Sequence, residues 1–238
     1  MIQLENISSD SLVEIPLSLT IDTALCVGAG GSTGSLADKP IIRNAQGQLL
    51  IPGSQLKGRL RHECEKLARG LGWPVCQSPK AETICPRHPN QSQFHITQYR
   101  LNNLPLGQEY HCIICQIFGN PVLPSRVIFD DLICPELPEK LPSEVLRPGV
   151  TINRRRQTAE EKKLYFLETS PAAKLTFSGT LELLRNSPEF AKPLLLAGLH
   201  HIHALGGSKS TGLGWLTWSN LDSKFSFDDS LWSSLIPQ

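Results

Sequence analysis

The chain has 238 residues, of which 40% are hydrophobic, with 23 basic and 22 acidic side chains. This length suits one large domain or a small domain with insertions. The balanced charge excludes a globally basic nucleic-acid binder, so any such site must be a local basic surface. The sequence contains no apolar run of bilayer length and no signal-peptide core, which predicts a cytoplasmic protein without a membrane partner. In a reducing compartment its seven cysteines are expected to bind metal or to be buried rather than to form disulfides.

The N-terminal part of the chain predicts a strand, a small-residue loop and a helix. Residues 12–21 alternate loosely and are rich in β-forming residues, which predicts a strand. A loop with four glycines follows at residues 26–40. Ser54 is a good helix N-cap, and the helix is expected to end at Gly70 or Gly72. Its apolar residues recur at helical spacing and predict one buried stripe, made of Leu56, Leu60, Cys64 and Leu67.

Residues 71–124 show little periodicity and are rich in Pro, Cys, His, Asn and Gln. Such a long irregular stretch predicts an insertion that something other than a hydrophobic core holds together. Four cysteines with one C-x-x-C spacing predict a closed tetrahedral zinc site there. The four candidate ligands are Cys76, Cys85, Cys112 and Cys115. Replacement of one of them by His88 or His111 stays open, as does a set of free, reduced thiols.

The second half predicts three strands, a helix and a projecting hairpin. The strands are expected at residues 125–134, 173–184 and 212–221, the hairpin at 147–170 and the helix at 188–205. Pro193 must lie in the first turn of that helix or kink it. Without the insertions, the order is β-α-β-β-α-β. This order predicts an α+β, ferredoxin-like (RRM-like) core in a single domain spanning residues 1–238.

The segment GQLLIPGSQLKGRLRHECE resembles the most recognisable motif of the RAMP superfamily of CRISPR-associated proteins. It is most similar to the repeated backbone subunit of type III effector complexes. Three further stretches agree in order: Ala37 to Ile42 after the Gly-rich loop, CIICQIFGNPVLPSRVIFDDL, and LGGSKSTGLGWL. The resemblance covers most of the chain. It implies an RNA-binding protein that associates with guide RNA, target RNA, other effector subunits and further copies of itself.

The residues that would bind RNA lie in three places. The start of the first helix offers free N–H groups and the positive end of its dipole. The Gly-rich loop near residue 210 can form an anion nest, and arginines of the hairpin can pair with phosphates and stack on bases. The predicted RNA-binding residues are Ser54, Gln55, Lys57, Arg59, Arg61, Arg154, Arg155, Arg156, Gly207, Ser208, Lys209 and Ser210.

Asp38 is the candidate catalytic residue. In the family that this chain resembles, an Asp at this loop position is needed to cut the target RNA that is paired to the guide. A carboxylate beside the scissile phosphate can hold a divalent metal such as Mg²⁺ or help to deprotonate the attacking 2′-OH. Lys39 stands where the family has Asn. Asp22 and the Asp130–Asp131 pair are alternatives that look like carboxylates at strand edges.

Three rival functions remain at this stage. The chain could be a structural subunit of the same complex in which Asp38 is silent. It could be a metal-independent RNase that processes CRISPR transcripts, for which His62 is the early histidine. It could also be a zinc-stabilised interaction module unrelated to RNA.

Overall fold

The computed structural model describes most of the chain. The described residues are 12–28, 37–73, 75–80, 83–86, 111–185, 187–219 and 221. Within these ranges, no helix combines the length and the apolar character that a membrane crossing needs. Most of the predicted Gly-rich loop before Asp38 (residues 29–36) and the candidate ligand His88 lie outside the described residues.

The described elements are eight strands and three α-helices, with short 3₁₀ turns at Pro138–Lys140 and Lys209–Thr211. The strands are β1 (Leu12–Ile21), β2 (Leu50–Ile51), β3 (Val127–Phe129), β4 (Leu132–Ile133), β5 (Val145–Asn153), β6 (Thr158–Thr169), β7 (Leu175–Leu184) and β8 (Leu216–Trp218). The helices are α1 (Gly53–Gly70), α2 (Ile113–Phe118) and α3 (Ala191–His200). The predicted α+β class is therefore confirmed.

Six strands form one antiparallel sheet, in the order β2-β4-β7-β1-β8, with β3 also paired to β7. The long pair β1–β7 is its centre and runs from Leu12 opposite Leu184 to Ile21 opposite Leu175. Both strands alternate, so one face is apolar and buried and the other is polar. On the polar face, Glu14 lies directly opposite Glu182.

Helices α1 and α3 pack against each other, and their buried residues join the core beside the apolar face of the sheet. Gly198 of α3 allows the close approach, because a Cβ there would lie 2.7 Å from Sγ of Cys64 and 2.8 Å from Cδ1 of Leu60. Leu60 and Cys64 are fully buried, as predicted, whereas Leu67 is only partly buried. Pro193 lies in the first turn of α3, where its missing N–H is tolerated.

Two local predictions were wrong: the N-cap of α1 and the continuous strand at 125–134. The helix begins at Gly53, Pro52 occupies the N-cap position, and no side chain of that residue caps the helix. Instead, Oδ1 of Asp131 accepts the N–H of Gly53 at 2.7 Å. The strand predicted at 125–134 is interrupted between β3 and β4, and this break brings Asp131 to the helix. A distant carboxylate therefore replaces the predicted local cap of Ser54.

Strands β5 and β6 form a separate two-stranded sheet. They pair from Val145 opposite Thr169 to Asn153 opposite Thr158, with a bulge between Val150 and Ile152. The ring of Tyr165 lies across Gly149, since a Cβ on that glycine would be 2.3 Å from the ring. Thus the chain forms a long hairpin whose turn, residues 154–157, is exposed.

Candidate metal centre and nucleic-acid interface

Four cysteines come together beside helix α2. One lies on each of two loop segments, Cys112 precedes α2 and Cys115 is in it. All four are buried, and their sulfur atoms lie within 4.8 Å of one another. Four sulfurs at about 2.3 Å from a central Zn²⁺ would lie about 3.8 Å apart. Because the observed spacing is of this order, the four-cysteine group could bind a structural metal ion.

The four sulfurs also interact with one another and with the backbone. The N–H of Cys112 donates to Sγ of Cys85 at 3.2 Å, and the sulfurs of Cys76 and Cys115 are 3.5 Å apart. Hydrogen bonds from the neighbouring thiols, first that of Cys112, hold the pKa of Cys76 below its usual value. The same neighbours raise the pKa of Cys85. Without a metal ion, the four thiols therefore cannot all lose their protons with equal ease. A bound metal ion would allow all four sulfurs to be deprotonated together.

His111 lies next to this group in sequence. Its ring is buried, and its Nδ1 is 2.9 Å from the side-chain nitrogen of Asn120. Burial lowers the pKa of His111, with a smaller opposing effect of Cys76, and this favours the neutral ring. The group of possible metal ligands among the described residues consists of the four cysteines and does not include His111.

Asp38 is exposed and is held against the base of the hairpin. Its Oδ2 accepts the N–H of Phe166 at 2.7 Å, and its own N–H donates to the carbonyl of Phe166 at 3.0 Å. The next residue, Lys39, pairs with Leu167 in a parallel bridge. Oε2 of Glu168 accepts the N–H of Ile41 at 2.9 Å. Asp38 therefore has a fixed backbone although the loop before it is rich in glycine.

The segment 24–28, here called the connecting segment, contacts several of the predicted functional parts. Gly28 pairs with Ile41 after Asp38. Leu25 donates its N–H to Oγ of Ser170 at 2.8 Å, at the end of the hairpin. The carbonyl of Cys26 accepts the N–H of Gly207 at 2.7 Å. The Asp38 segment, the hairpin base and the Gly-rich loop therefore all contact one stretch of backbone, of which residues 24–27 are buried.

The Gly-rich loop at residues 206–214 has the left-handed backbone conformations that glycine favours. Gly214 has φ of 71°, and a Cβ there would lie 1.8 Å from the carbonyl oxygen of Leu205. Its N–H donates to the carbonyl of Ala24 at 2.9 Å. Nζ of Lys209 donates to the carbonyl of Gly206 at 3.0 Å, so this cation is folded back over the loop.

The predicted RNA-binding residues of α1 have different environments. Ser54 is exposed and Lys57 is partly buried. Burial, and then the charge of Arg61, lower the pKa of Lys57. Arg59 pairs with Glu63 at 2.8 Å, one turn further along the helix. The buried side-chain oxygen of Gln55 has no hydrogen-bond partner, so this amide has acceptor capacity to spare.

Arg61 does not point to open solvent. Its Nε donates to Glu65 at 3.2 Å, its Nη1 to the carbonyl of Gly119 at 3.1 Å, and its Nη2 lies 3.9 Å from Sγ of Cys115. Burial lowers the pKa of Arg61, but the hydrogen bond to Glu65 and the charges of Cys115 and Cys76 outweigh that effect and raise it. Glu65 and Gly119 were not predicted as part of the site.

The hairpin arginines lie in its exposed turn. Oδ1 of Asn153 accepts the backbone N–H groups of Arg155 at 3.1 Å and of Arg156 at 3.0 Å. This arrangement shapes the turn through the backbone and leaves the side chains of Arg154, Arg155 and Arg156 exposed. Three adjacent guanidinium groups therefore project at the end furthest from the hairpin base.

A family model that describes the RAMP superfamily matches residues 18–217. The chain belongs to the RAMP superfamily. It is also similar to the "CRISPR system Cms endoribonuclease Csm3" of Methanocaldococcus jannaschii, with 26% identity over 225 residues, 89% of this chain and 80% of that protein. The predicted superfamily is confirmed, and the chain is a distant homologue of Csm3.

Two cations of this RAMP protein were not predicted as functional. Lys39 and Arg147 are exposed, and both lie near enough to Cys26 to lower the pKa of its thiol, although burial has the larger effect and raises it. Both residues pair with Leu167, from opposite sides. Lys39 lies in the family-like stretch Ala37 to Ile42 but had no predicted role, and Arg147 lies outside the matched stretches. Their shared pairing with Leu167 brings them together.

Proposed function

We propose that this protein is a guide-RNA-binding backbone subunit of a type III CRISPR effector complex, and that it cleaves target RNA paired to the guide. The observation that carries the proposal is the connecting segment, which joins the Asp38 loop, the hairpin base and the Gly-rich loop. Three segments that we propose to contact RNA are far apart in sequence and are all hydrogen-bonded to this one segment or to residues paired with it. The distant homologue from Methanocaldococcus jannaschii is named as an endoribonuclease, which supports the enzymatic half of the proposal.

We further infer that the core is ferredoxin-like. Counting β3 and β4 as one interrupted strand, the main strands follow the order β4-β7-β1-β8, and the helices α1 and α3 connect them in a β-α-β-β-α-β sequence. RRM-type RNA binders share this arrangement, but fold alone does not assign function. The functional proposal therefore depends on the loops rather than on the sheet.

Cleavage would use the ribose 2′-OH next to the scissile phosphate. Its oxygen attacks the phosphorus in line, its proton is taken up by a base, and the bond to the 5′ oxygen breaks. The departing 5′ oxygen takes up a proton from water, so the products are a 2′,3′-cyclic phosphate and a 5′-OH. Asp38 would act near the scissile phosphate as the proton acceptor or as a ligand. Mg²⁺ usually binds one or two carboxylates together with phosphate oxygens, so Asp38 and the RNA would share it.

The nuclease proposal is tested with two substitutions at Asp38, because this carboxylate also accepts the N–H of Phe166. Asp38→Asn keeps an acceptor for that hydrogen bond and removes the charge, whereas Asp38→Ala removes both. Asp22→Ala is the control, since Asp22 is another exposed carboxylate, which accepts the Thr217 hydroxyl. Complexes with each variant are given complementary RNA, and the products are resolved on a gel.

We expect both Asp38 variants to lose cutting and the control to keep it. Loss with Asp38→Ala but full activity with Asp38→Asn would mean that the residue only holds the hairpin base. Unchanged cutting with both variants would refute the nuclease assignment and favour the structural, catalytically silent subunit. The carboxylate already has a hydrogen-bond partner, which is the specific observation in favour of that second candidate.

RNA binding through the hairpin is tested by its salt dependence. Replacing Arg154, Arg155 and Arg156 by Gln should lower guide-RNA affinity and flatten its salt dependence. If each arginine neutralises one phosphate, the slope of log K against log salt should fall in magnitude by about 2, at about 0.7 per phosphate of single-stranded RNA. A control variant changes three other exposed cations by the same net charge: Lys140, Lys174 and Lys192. Equal slopes in the two variants would refute a specific role of the hairpin turn.

We also propose that the four-cysteine group binds Zn²⁺ as a structural ion. The donor set supports this, since four buried thiols are the ligands of closed zinc sites. Elemental analysis of the purified protein should give one zinc per chain. Cys85→Ser should lose it, while Cys134→Ser, at another buried cysteine, should retain it.

The transcript-processing alternative is tested with the isolated protein and repeat RNA without divalent metal. His62 is exposed on α1. Cutting that depends on His62 would favour this alternative over the effector subunit.

A further inference from the structure

Arg61 is aimed at the four-cysteine group rather than at a free surface. Its side chain is only 23% exposed, and three of its nitrogens have neighbours within the fold. Nη2 faces Sγ of Cys115 at 3.9 Å, Nη1 donates to the carbonyl of Gly119 at 3.1 Å, and Nε donates to Glu65 at 3.2 Å. The guanidinium thus joins α1 to Cys115 within α2 and to Gly119 directly after it.

The positive charge of Arg61 can offset the negative charge of a metal ion bound by four thiolates. Four thiolates around one Zn²⁺ carry a net charge of about −2, and a buried charge is costly unless a partner offsets it. The N–H of Cys112 donates to Cys85, but a backbone amide brings no net charge. Arg61 brings a full positive charge that does not titrate at physiological pH.

We propose that Arg61 is an outer-shell partner of the metal–thiolate group, donating to the sulfur of Cys115 and fixing helix α1 to the metal centre. This inference rests on the proposed zinc site. It assigns Arg61 a role that differs from the RNA-phosphate contact expected from the motif around Lys57. Arg61 then links α1 to the cysteine-rich insertion through the metal, and it acts as a positioning residue rather than as an RNA ligand.

Glu65 supplies the geometry for a matched control. It accepts from Nε of Arg61 at 3.2 Å on one oxygen, and its other oxygen lies 3.6 Å from Nη2 of Arg69. Arg69 is nearly half exposed and lies two turns further along α1 than Arg61. Arg69→Met therefore removes a cation from the same carboxylate without removing the donor to Cys115.

The experiment measures zinc affinity of the full chain by competition with a chromogenic chelator, for wild type, Arg61→Met, Arg61→Gln and Arg69→Met. Loss of an outer-shell partner typically weakens metal binding about 10–100-fold. We expect this for Arg61→Met, a smaller loss for Arg61→Gln, which can still donate, and less than a twofold change for Arg69→Met. Loading with Co²⁺ gives a second readout, because the sulfur-to-cobalt absorption band should shift in Arg61→Met and not in Arg69→Met.

The outcomes separate the inference from the zinc site on which it rests. If wild type binds no zinc, the site itself is wrong and the inference falls with it. If wild type binds one zinc and Arg61→Met binds it equally tightly with an unshifted cobalt band, the site stands and the role of Arg61 is refuted. If Arg61→Met lowers guide-RNA affinity and leaves zinc affinity unchanged, Arg61 contacts RNA phosphates instead, and its role at the metal centre is refuted. Should Arg61→Met fail to fold, Arg61→Gln decides by the same two measurements.

Discussion

The Gly-rich loop offers a matched pair of substitutions that separates backbone strain from steric contact. Gly212 and Gly214 both have positive φ, of 88° and 71°. A Cβ on Gly212 would meet nothing within 4 Å, whereas one on Gly214 would lie 1.8 Å from the carbonyl oxygen of Leu205. Gly212→Ala therefore adds only conformational strain, and Gly214→Ala adds the same strain together with a backbone clash.

The expected costs follow from these contacts. A left-handed non-glycine residue costs about 1–2 kcal/mol, which is the whole effect expected for Gly212→Ala. In Gly214→Ala the backbone must move, and this puts two hydrogen bonds at risk. The N–H of Leu205 donates to the carbonyl of Gly214, and the N–H of Gly214 donates to the carbonyl of Ala24, both at 2.9 Å. At about 1 kcal/mol each, the total destabilisation becomes about 3–4 kcal/mol. This is a large share of the roughly 5–15 kcal/mol that stabilises a typical domain.

Urea denaturation of the full chain, followed by circular dichroism, measures both free energies of unfolding under identical conditions. Guide-RNA affinity is measured on the same samples at temperatures where both variants are folded. Free energies of unfolding that differ by less than about 0.5 kcal/mol between the variants would refute the reasoning. The loop would then have to accommodate a side chain at Gly214 by a movement that leaves Leu205 and Ala24 undisturbed.

Three further predictions concern α1 and its contact with α3. Asp131→Ala should lower the free energy of unfolding by about 0.5–2 kcal/mol because it removes the acceptor for the first helical N–H. Asp130→Ala is the control and should have little effect. Equal urea midpoints for the two variants would contradict the prediction. Burial alone would raise the pKa of Glu63, but the hydrogen bond from Lys66 and the charge of Arg59 outweigh burial and lower this pKa. The ionised Glu63 therefore stabilises the fold at pH values above its pKa in the unfolded chain. This stabilisation is lost as the pH falls through its pKa in the folded protein. Stability measured between pH 6 and 3 should therefore fall less steeply in Glu63→Gln. Gly198→Ala should lower the free energy of unfolding by about 1–3 kcal/mol, because the added Cβ overpacks against Cys64. Adding Cys64→Ala should recover part of this loss. If the losses of the two single variants simply add in the double variant, the contact between these residues is contradicted.

Local pattern predicted the parts of the fold that depend on neighbours in sequence. The alternation of residues 12–21 predicted β1 with its observed ends, and helical spacing predicted the burial of Leu60 and Cys64. The cysteine spacing predicted the four residues whose sulfurs meet. For the strand and the helix the signal is a repeat within a short stretch of chain, whereas the four cysteines span residues 76–115 and are recognised by residue type and one C-x-x-C spacing.

The remaining features depend on contacts between distant segments. Asp131 caps a helix that starts 78 residues earlier, which a local search for N-caps cannot find. The direction of Arg61 depends on where α2 lies, since Cys115 and Gly119 are its partners. A solvated cation on a helix and an outer-shell partner of a metal have the same sequence signature, and only the packing of α2 distinguishes them.

The polar face of the sheet has a consequence for how a nucleic acid can approach this molecule. Glu14 and Glu182 lie side by side on the central strands, and two like charges in direct opposition concentrate negative potential on that face. Under the proposed function, a nucleic acid would be repelled from that face and would bind instead at the exposed arginines of the hairpin turn. The face that carries Glu14 and Glu182 would therefore point away from the RNA, and repulsion from this face would help to select the orientation of the bound strand.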